Sequence, residues 1–384
     1  MKSSFSLITA GILAVSAIPV MAKENPSTPY LSLQLEMEHA IAKGNNYLKS
    51  KQDPKGFWKN SEIPAYSALA ITAAMRAPEV TTAPEHIKLG YKWLLSTQQE
   101  DGGIYVKGLA TYNTATSLMA LAASRDKSHT PAILKGRRFL IGLQHDTGIK
   151  GETDEVYDGG IGYGGTYKHS DMSNTYLSIE ALKLTQSIAR DTSTEEPELD
   201  WAAAIDFVSR TQNLEATNDQ PNVGNDGSFV YFPGNSKAGT EKQADGRETL
   251  RGYGSMSYAG LLSFIYADLD ENDIRVQSVK KGLNEHYTLE ENPGLGQQGH
   301  YYYYQVMAKA LNAAGIDTLR TKDGVEHDWR KELGGRLLSA QKSDGSWVNE
   351  NSRWWENEPE LVTCYALLTL EQIYHSIPAP MQRK

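Results

Sequence analysis

Gln341-Lys342-Ser343-Asp344-Gly345-Ser346-Trp347, near the end of the chain, repeats a phrase met twice near its start: Gln52-Asp53-Pro54-Lys55-Gly56-Phe57-Trp58 and Gln98-Gln99-Glu100-Asp101-Gly102-Gly103-Ile104. Each runs from a glutamine to Asp or Lys, then Gly, one residue, and an apolar or aromatic side chain. Stretched versions start at Gln144, reaching Asp158-Gly159-Gly160, and at Gln212, reaching Asp226-Gly227-Ser228-Phe229. The five glutamines are 46, 46, 68 and 129 residues apart, and the last gap holds two periods. A degenerate copy, His286-Tyr287 with the Asn-Pro-Gly loop after it, lies between them. Internal repetition on this scale means stacked supersecondary units, here six of roughly 45 to 70 residues.

Each unit reads as helix, phrase, helix. The helix before the phrase is amphipathic: Ile87, Tyr91, Leu94 and Leu95 share one face, and Lys88 and Lys92 lie on the other. The helix after it is different, since residues 65–75, 111–124, 252–267 and 361–370 carry no charged side chain. A helix without a polar face is a buried helix. Alternating half-exposed and charge-free helices imply two concentric shells. An open solenoid would leave one face of every inner helix wet, so the expectation is an all-α toroid, six helical hairpins closed into a double-shelled barrel.

The phrases between helix pairs resemble the QW repeats of the squalene–hopene cyclase and protein prenyltransferase superfamily. The likeness spans residues 36 to 375 and looks closest to secreted bacterial "prenyltransferase and squalene oxidase repeat" proteins. Thr288-Leu289-Glu290-Glu291-Asn292-Pro293-Gly294, onward to the Tyr301–Tyr304 run, also looks like that group. The resemblance implies an isoprenoid-like ligand in the lumen. It does not bring the relatives' chemistry with it. Class II cyclases of this fold use the middle Asp of a D-x-D-D motif, and this chain contains no Asp-Asp pair. Asp268-Leu269-Asp270-Glu271-Asn272-Asp273 reads as a solvated turn. The prenyltransferases hold Zn with Asp, Cys and His, yet Val362 stands two residues before Cys364 where their pattern has Asp. No metal and no cofactor are therefore expected. Gly160-Ile161-Gly162-Tyr163-Gly164-Gly165 satisfies G-x-G-x-x-G, but it lies between helices rather than in a strand–helix turn, so it reads as a glycine loop.

Composition sets the outer limits. The 384 residues are 40% hydrophobic and 22% charged with a net charge of −9, so a nucleic-acid partner is not expected. One cysteine excludes an intrachain disulfide framework. Residues 1–22, with Lys2, the apolar run Phe5 to Val20 and a small-residue site at Val20-Met21-Ala22, read as a secretory signal peptide. The expected product is exported, periplasmic or extracellular, without a membrane span. Residues 23–32 read as a flexible segment, 33–376 as the toroid and 377–384 as a tail.

Twenty-one Tyr and seven Trp favour a wet cavity over a dry core. All inner helices run the same way, so their N-termini meet at one mouth of the barrel, where dipoles and unpaired N–H groups attract an anion or polar head group. The residues expected there are Tyr66, Asn113, Asn174, Ser257, Tyr258, Tyr301, Tyr302 and Thr363, with Arg251, His300 and Arg353 as cations. Two long glycine-rich loops, 145–171 and 213–252, are expected to cover it in part with Tyr157, Tyr163, Tyr167, Phe229, Tyr231 and Phe232. Their acids, Glu152, Asp154, Glu155, Asp158, Asp171 and Glu248, contain no pair that stands out as catalytic. Three functions remain open: a toroid binding or transforming an isoprenoid-like amphipath, a carbohydrate-active lyase or hydrolase, and a non-catalytic interaction scaffold. A small amphipathic molecule or a glycan is the partner expected.

Overall fold

A computed structural model describes residues 30–78, 80–165, 167–192 and 195–377. The leader-like segment and nearly all of the predicted tail lie outside the described residues. Six inner helices, α2 (Pro64–Arg76), α4 (Ala110–Ala123), α6 (Met172–Leu184), α9 (Gly254–Tyr266), α11 (His300–Ala313) and α13 (Pro359–Ser376), touch in that order. Helix α13 packs back on α2, which closes the ring. The outer shell is α1 (Leu31–Ser50), α3 (Glu85–Leu95), α5 (Thr130–Gly142), α8 (Trp201–Arg210), α10 (Ile274–Glu285) and α12 (Trp329–Ala340). A short α7 (Gln186–Arg190) follows α6. The first helix begins at Leu31, inside the segment read as flexible. Sheet is confined to two small hairpins, one in the 213–252 loop (β1, Thr240–Lys242, and β2, Glu248–Leu250) and one after α11 (β3, Leu319–Arg320, and β4, Glu326–His327).

The repeated phrase is the rivet between units. Gln98 Nε2 donates to Gly102 O within its phrase (2.9 Å) and to Ala132 O at the start of α5 (3.0 Å). Gln52, Gln144, Gln212 and Gln341 do the same toward α3, Asp200 before α8, α10 and α1. Each therefore ties the end of one outer helix to the next, at or just before its first turn except in α1, where Ala40 lies midway along the helix. The phrase glycine has no substitute. Gly56, Gly102, Gly159, Gly227 and Gly345 all adopt φ between 76° and 105°, and a Cβ on any of them would meet a backbone carbonyl oxygen of an outer helix within 2.6 Å.

A second bond locks the phrase to the inner shell. The backbone N–H of Trp58, Ile104, Ile161, Phe229 and Trp347 donates to the hydroxyl of Ser67, Thr114, Thr175, Ser257 and Thr363 in turn, at 2.8–3.1 Å. The fifth unit lacks a phrase, and its α11 lacks the small hydroxyl. Tyr303 and Tyr304 occupy that register, are buried, and donate to Thr288 O (2.8 Å) and Leu289 O (2.5 Å). The tyrosine run thus replaces a missing rivet.

The inner shell is charge-free only where the four sequence windows lie. Helices α6 and α11 bring Glu180 and Lys309, which pair at 2.9 Å. Helix α9 stands between these two in the ring, so the pair bridges the lumen. The lumen accordingly has an aromatic mouth and an ionic floor.

Candidate functional site

At the inner-helix N-termini the barrel opens into a cavity of about 160 Å3, reached from solvent and lined from all six inner helices. Ile63, Ala65 and Tyr66 come from α2 and its approach, Leu109 and Tyr112 from α4, Ser173 and Asn174 from α6. Tyr253, Ser255 and Met256 come from α9, Gly299 and Tyr302 from α11, Leu361 and Tyr365 from α13. The two long loops add Tyr163, Tyr231 and Lys237, and the segment before α13 adds Trp354, Trp355 and Glu356. The lining is that of a small-molecule site: a largely apolar, aromatic concavity with few polar groups. The tyrosine hydroxyls mostly pair with one another, Tyr163 with Tyr231 at 2.9 Å and Tyr112 with Tyr365 at 3.1 Å. Tyr66 donates to Glu358, and the buried Tyr302 hydroxyl has no protein partner.

The helix ends here do not form the anion nest expected from the sequence. A buried N-terminus must satisfy its free N–H groups, and this protein does so with its own side chains. Asp171 Oδ1 accepts from Asn174 N (3.0 Å) at the start of α6. Glu356 accepts from Tyr302 N (2.8 Å) and Tyr301 N (3.2 Å) at the start of α11. Asn113 Oδ1 caps Ala65 N (2.9 Å), and Asn292 Oδ1 caps Ser255 N (2.9 Å). Burial pushes the carboxyls of both Asp171 and Glu356 above the usual range, against the lowering effect of the hydrogen bonds they accept.

Of the residues named from the sequence, the structure brings Tyr66, Asn174 and Tyr302 to the cavity wall. The others lie elsewhere. Asn113 is a cap for α2, and Ser257 and Thr363 turn outward to hold the phrases. Arg251, Ser257 and Tyr258 line a separate cleft of about 250 Å3 on the flank of α9. Tyr301 is buried against Tyr304, ring centroids 5.8 Å apart. His300 is no cation: its ring nitrogens face Gln297 Oε1 and Leu289 O (both 3.1 Å), and burial lowers its pKa to about 4. Arg353 is exposed and stands over the Trp354 ring, 5.2 Å from its centroid.

From the loops, Tyr163 and Tyr231 reach the cavity as expected. Phe229 instead fills the fourth rivet, and Asp158 is held in its loop by Thr147 and the Glu155 N–H. Sequence reasoning missed Lys237, Tyr112, Tyr365, Trp354 and Glu356. Lys237 is exposed at the rim, yet its amine is turned over the Tyr231 ring, 3.5 Å from the centroid, and lies 5.1 Å from that of Trp354. Tyr112 and Tyr365 were findable, because each sits two residues from a phrase-binding hydroxyl (Thr114, Thr363) and so on the opposite side of its helix.

Among the described residues no three His, Cys, Asp or Glu side chains are grouped to hold a metal ion, and no helix is long and apolar enough to cross a membrane. Cys364 is buried in α13, where burial pushes its thiol pKa upward.

No protein-family model matches the sequence, and no curated protein matches it significantly. Solved structures do match in fold. The type II terpene cyclase MstE from Scytonema, in complex with geranylgeranyl dihydroxybenzoate, aligns over 90% of this chain and 99% of its own at 10% identity, TM-score 0.52. A family 76 glycoside hydrolase from a bovine Bacteroides thetaiotaomicron strain aligns over 87% of this chain and 77% of its own at 11% identity, TM-score 0.54. An alpha-amylase from Clostridium perfringens aligns over 87% and 97% at 11% identity, TM-score 0.52. At these identities the likeness is one of fold, an α/α toroid.

Proposed function

We propose that this protein binds an amphipathic, isoprenoid-like molecule in the mouth of its barrel, as an exported member of the toroid superfamily its repeats resemble. The observation that carries the reading is the cavity: aromatic and aliphatic side chains from five of the six inner helices converge on it, and α6 adds Ser173 and Asn174. Such a wall gains roughly 25 cal/mol for each Å2 of apolar ligand surface it removes from water. MstE, which shares the fold, was solved with a geranylgeranyl compound bound. The glycan-cleaving reading has less support at the site. Glu356 lines the cavity, but it is engaged with two backbone N–H groups and with Asn349 Nδ2 (2.7 Å), and Asp171 is engaged with Asn174. A glycosidase needs two carboxyl groups free to face one bond.

Geranylgeraniol, followed through Trp354 and Trp355 fluorescence at the rim, tests the reading. Binding in the micromolar range is expected. Ser173→Phe, which projects a ring into the cavity, should weaken it at least tenfold. Equal affinity of the variant, or no quenching of the unmodified protein, overturns the proposal.

A further inference from the structure

We propose that Lys237 captures carbonyl groups: its amine stands at the rim to condense with the aldehyde or ketone head of an apolar molecule seated in the barrel mouth. This inference rests on the cavity reading above and adds the chemical class of the head group.

The placement is unusual for a lysine. Lys237 lines the cavity, and its ζ-nitrogen faces the rings of Tyr231 and Trp354, which line it too. Among the described residues it makes no hydrogen bond and no ion pair, in contrast to Lys309, which is held by Glu180. The aromatic faces favour the ammonium by about 0.5–2 kcal/mol, depending on how much water reaches it, and no hydrogen bond or ion pair adds to that. The charged groups around it are Asp171 behind and Arg353 at the rim, and the Glu356 carboxyl lies in the same cavity wall. Desolvation against the rings is the largest influence and brings the lysine pKa down to about 8; Asp171 opposes it and Arg353 adds to it.

The same neighbours discriminate between head groups. A carboxylate or phosphate approaching Lys237 also approaches the carboxyls of Asp171 and Glu356, which already cap the helix ends there. A carbonyl is uncharged and meets no such repulsion. The reaction balances without a further reagent. The neutral amine adds its lone pair to the carbonyl carbon, and a proton moves from nitrogen to the former carbonyl oxygen, giving a carbinolamine. That hydroxyl leaves as water with the second amine proton, and a C=N bond remains. The Tyr231 ring lies beneath the amine and its hydroxyl is hydrogen-bonded to that of Tyr163 (2.9 Å), so the protons pass to solvent at the open rim.

Dodecanal and farnesal are the probes, each incubated with the full-length protein and cyanoborohydride, with adducts located by peptide mass mapping. One reduced adduct is expected at Lys237, formed at least tenfold faster than at any other lysine and slowed by excess dodecanol competing for the cavity. Lys237→Arg should remove it, whereas Lys331→Arg on the outer helix α12, away from the cavity, should leave both the adduct and dodecanol quenching of rim tryptophan fluorescence unchanged. Adducts spread evenly over surface lysines, or a Lys237 adduct indifferent to dodecanol, overturn the inference. Dodecanol quenching that persists in that case leaves the cavity reading standing. Loss of both adduct and quenching removes the two together.

Discussion

Replacing Lys309 by Met removes the cation from the floor of the lumen and leaves Glu180 without it. Glu180 is nearly inaccessible, with 3% of its side chain exposed, and Lys309 retains 16%. Removing one partner of a buried ion pair costs about 3–5 kcal/mol, because the remaining charge is stranded in a poor solvent. The lower half of that range applies here, since Tyr176 still donates to Glu180 at 2.9 Å. With an unfolding entropy of about 2.1 cal/mol/K per residue over the toroid, 3 kcal/mol corresponds to a fall in Tm of about 4 °C. Glu180→Met strands the more exposed partner, so its penalty should be smaller. The double variant should recover most of the loss, since apolar side chains of similar volume replace a desolvated pair at little net cost. Thermal melts of the four proteins form a double-mutant cycle. A coupling energy below about 0.5 kcal/mol, with the double variant losing the sum of the singles, would refute the cross-lumen pair.

Glu371 on α13 is wholly buried, both carboxyl oxygens lack a hydrogen-bond partner, and Arg76 Nε is 3.9 Å away. Burial holds its pKa well above the usual carboxylate range, with Arg76 only partly opposing. A folded-state pKa above the unfolded one stabilises at acid pH, and that stability is lost as pH rises through the folded value. The Tm advantage of Glu371→Gln over the wild type should therefore grow from pH 5 to pH 8.5; a constant offset would show that the group does not titrate differently on folding. Gln98→Ala deletes two donors to backbone carbonyls and should cost about 1–3 kcal/mol in a urea melt, with no change expected in dodecanol quenching. Gly159→Ala faces both φ 82° and a Cβ placed 1.8 Å from Ala203 O, so soluble yield and Tm should fall further than for Gln98→Ala. A Gly159→Ala protein as stable as wild type would contradict the rivet geometry.

The ring of six inner helices was legible because its signals are local and repeated. A Gln, a Gly in a left-handed turn and a following hydroxyl recur in five of the six units, and absence of charge marks much of the inner face. What the sequence reading mistook was phase. Ser257 and Thr363 stand at helix starts beside the mouth, but they lie on the side that holds the phrase. A hydroxyl there looks the same in sequence whether it caps a rivet or meets a ligand. The tyrosine run divides for the same reason, Tyr302 turning to the cavity while Tyr303 and Tyr304 fill the vacant fifth rivet. Lys237 carried no signal at all. Its loop has no periodicity, and its position comes from contact with Trp354, more than a hundred residues away in the chain.

The electrostatics of the mouth follow from how the helix ends are capped rather than from how many there are. Converging N-termini would by themselves make the opening attractive to anions. Here Asp171 and Glu356 occupy that role at α6 and α11, and neutral asparagines occupy it at α2 and α9. The barrel mouth therefore presents a largely apolar, aromatic wall with the dipoles of four of its six helix starts already answered. Charge at the opening falls to residues outside the barrel, Lys237 on the hairpin-bearing loop and Arg353 before α13, each lying over the Trp354 ring. Head-group preference and body preference consequently reside in separate parts of the chain. A substitution at Lys237 can alter which head is accepted without disturbing the rivets that hold the cavity open.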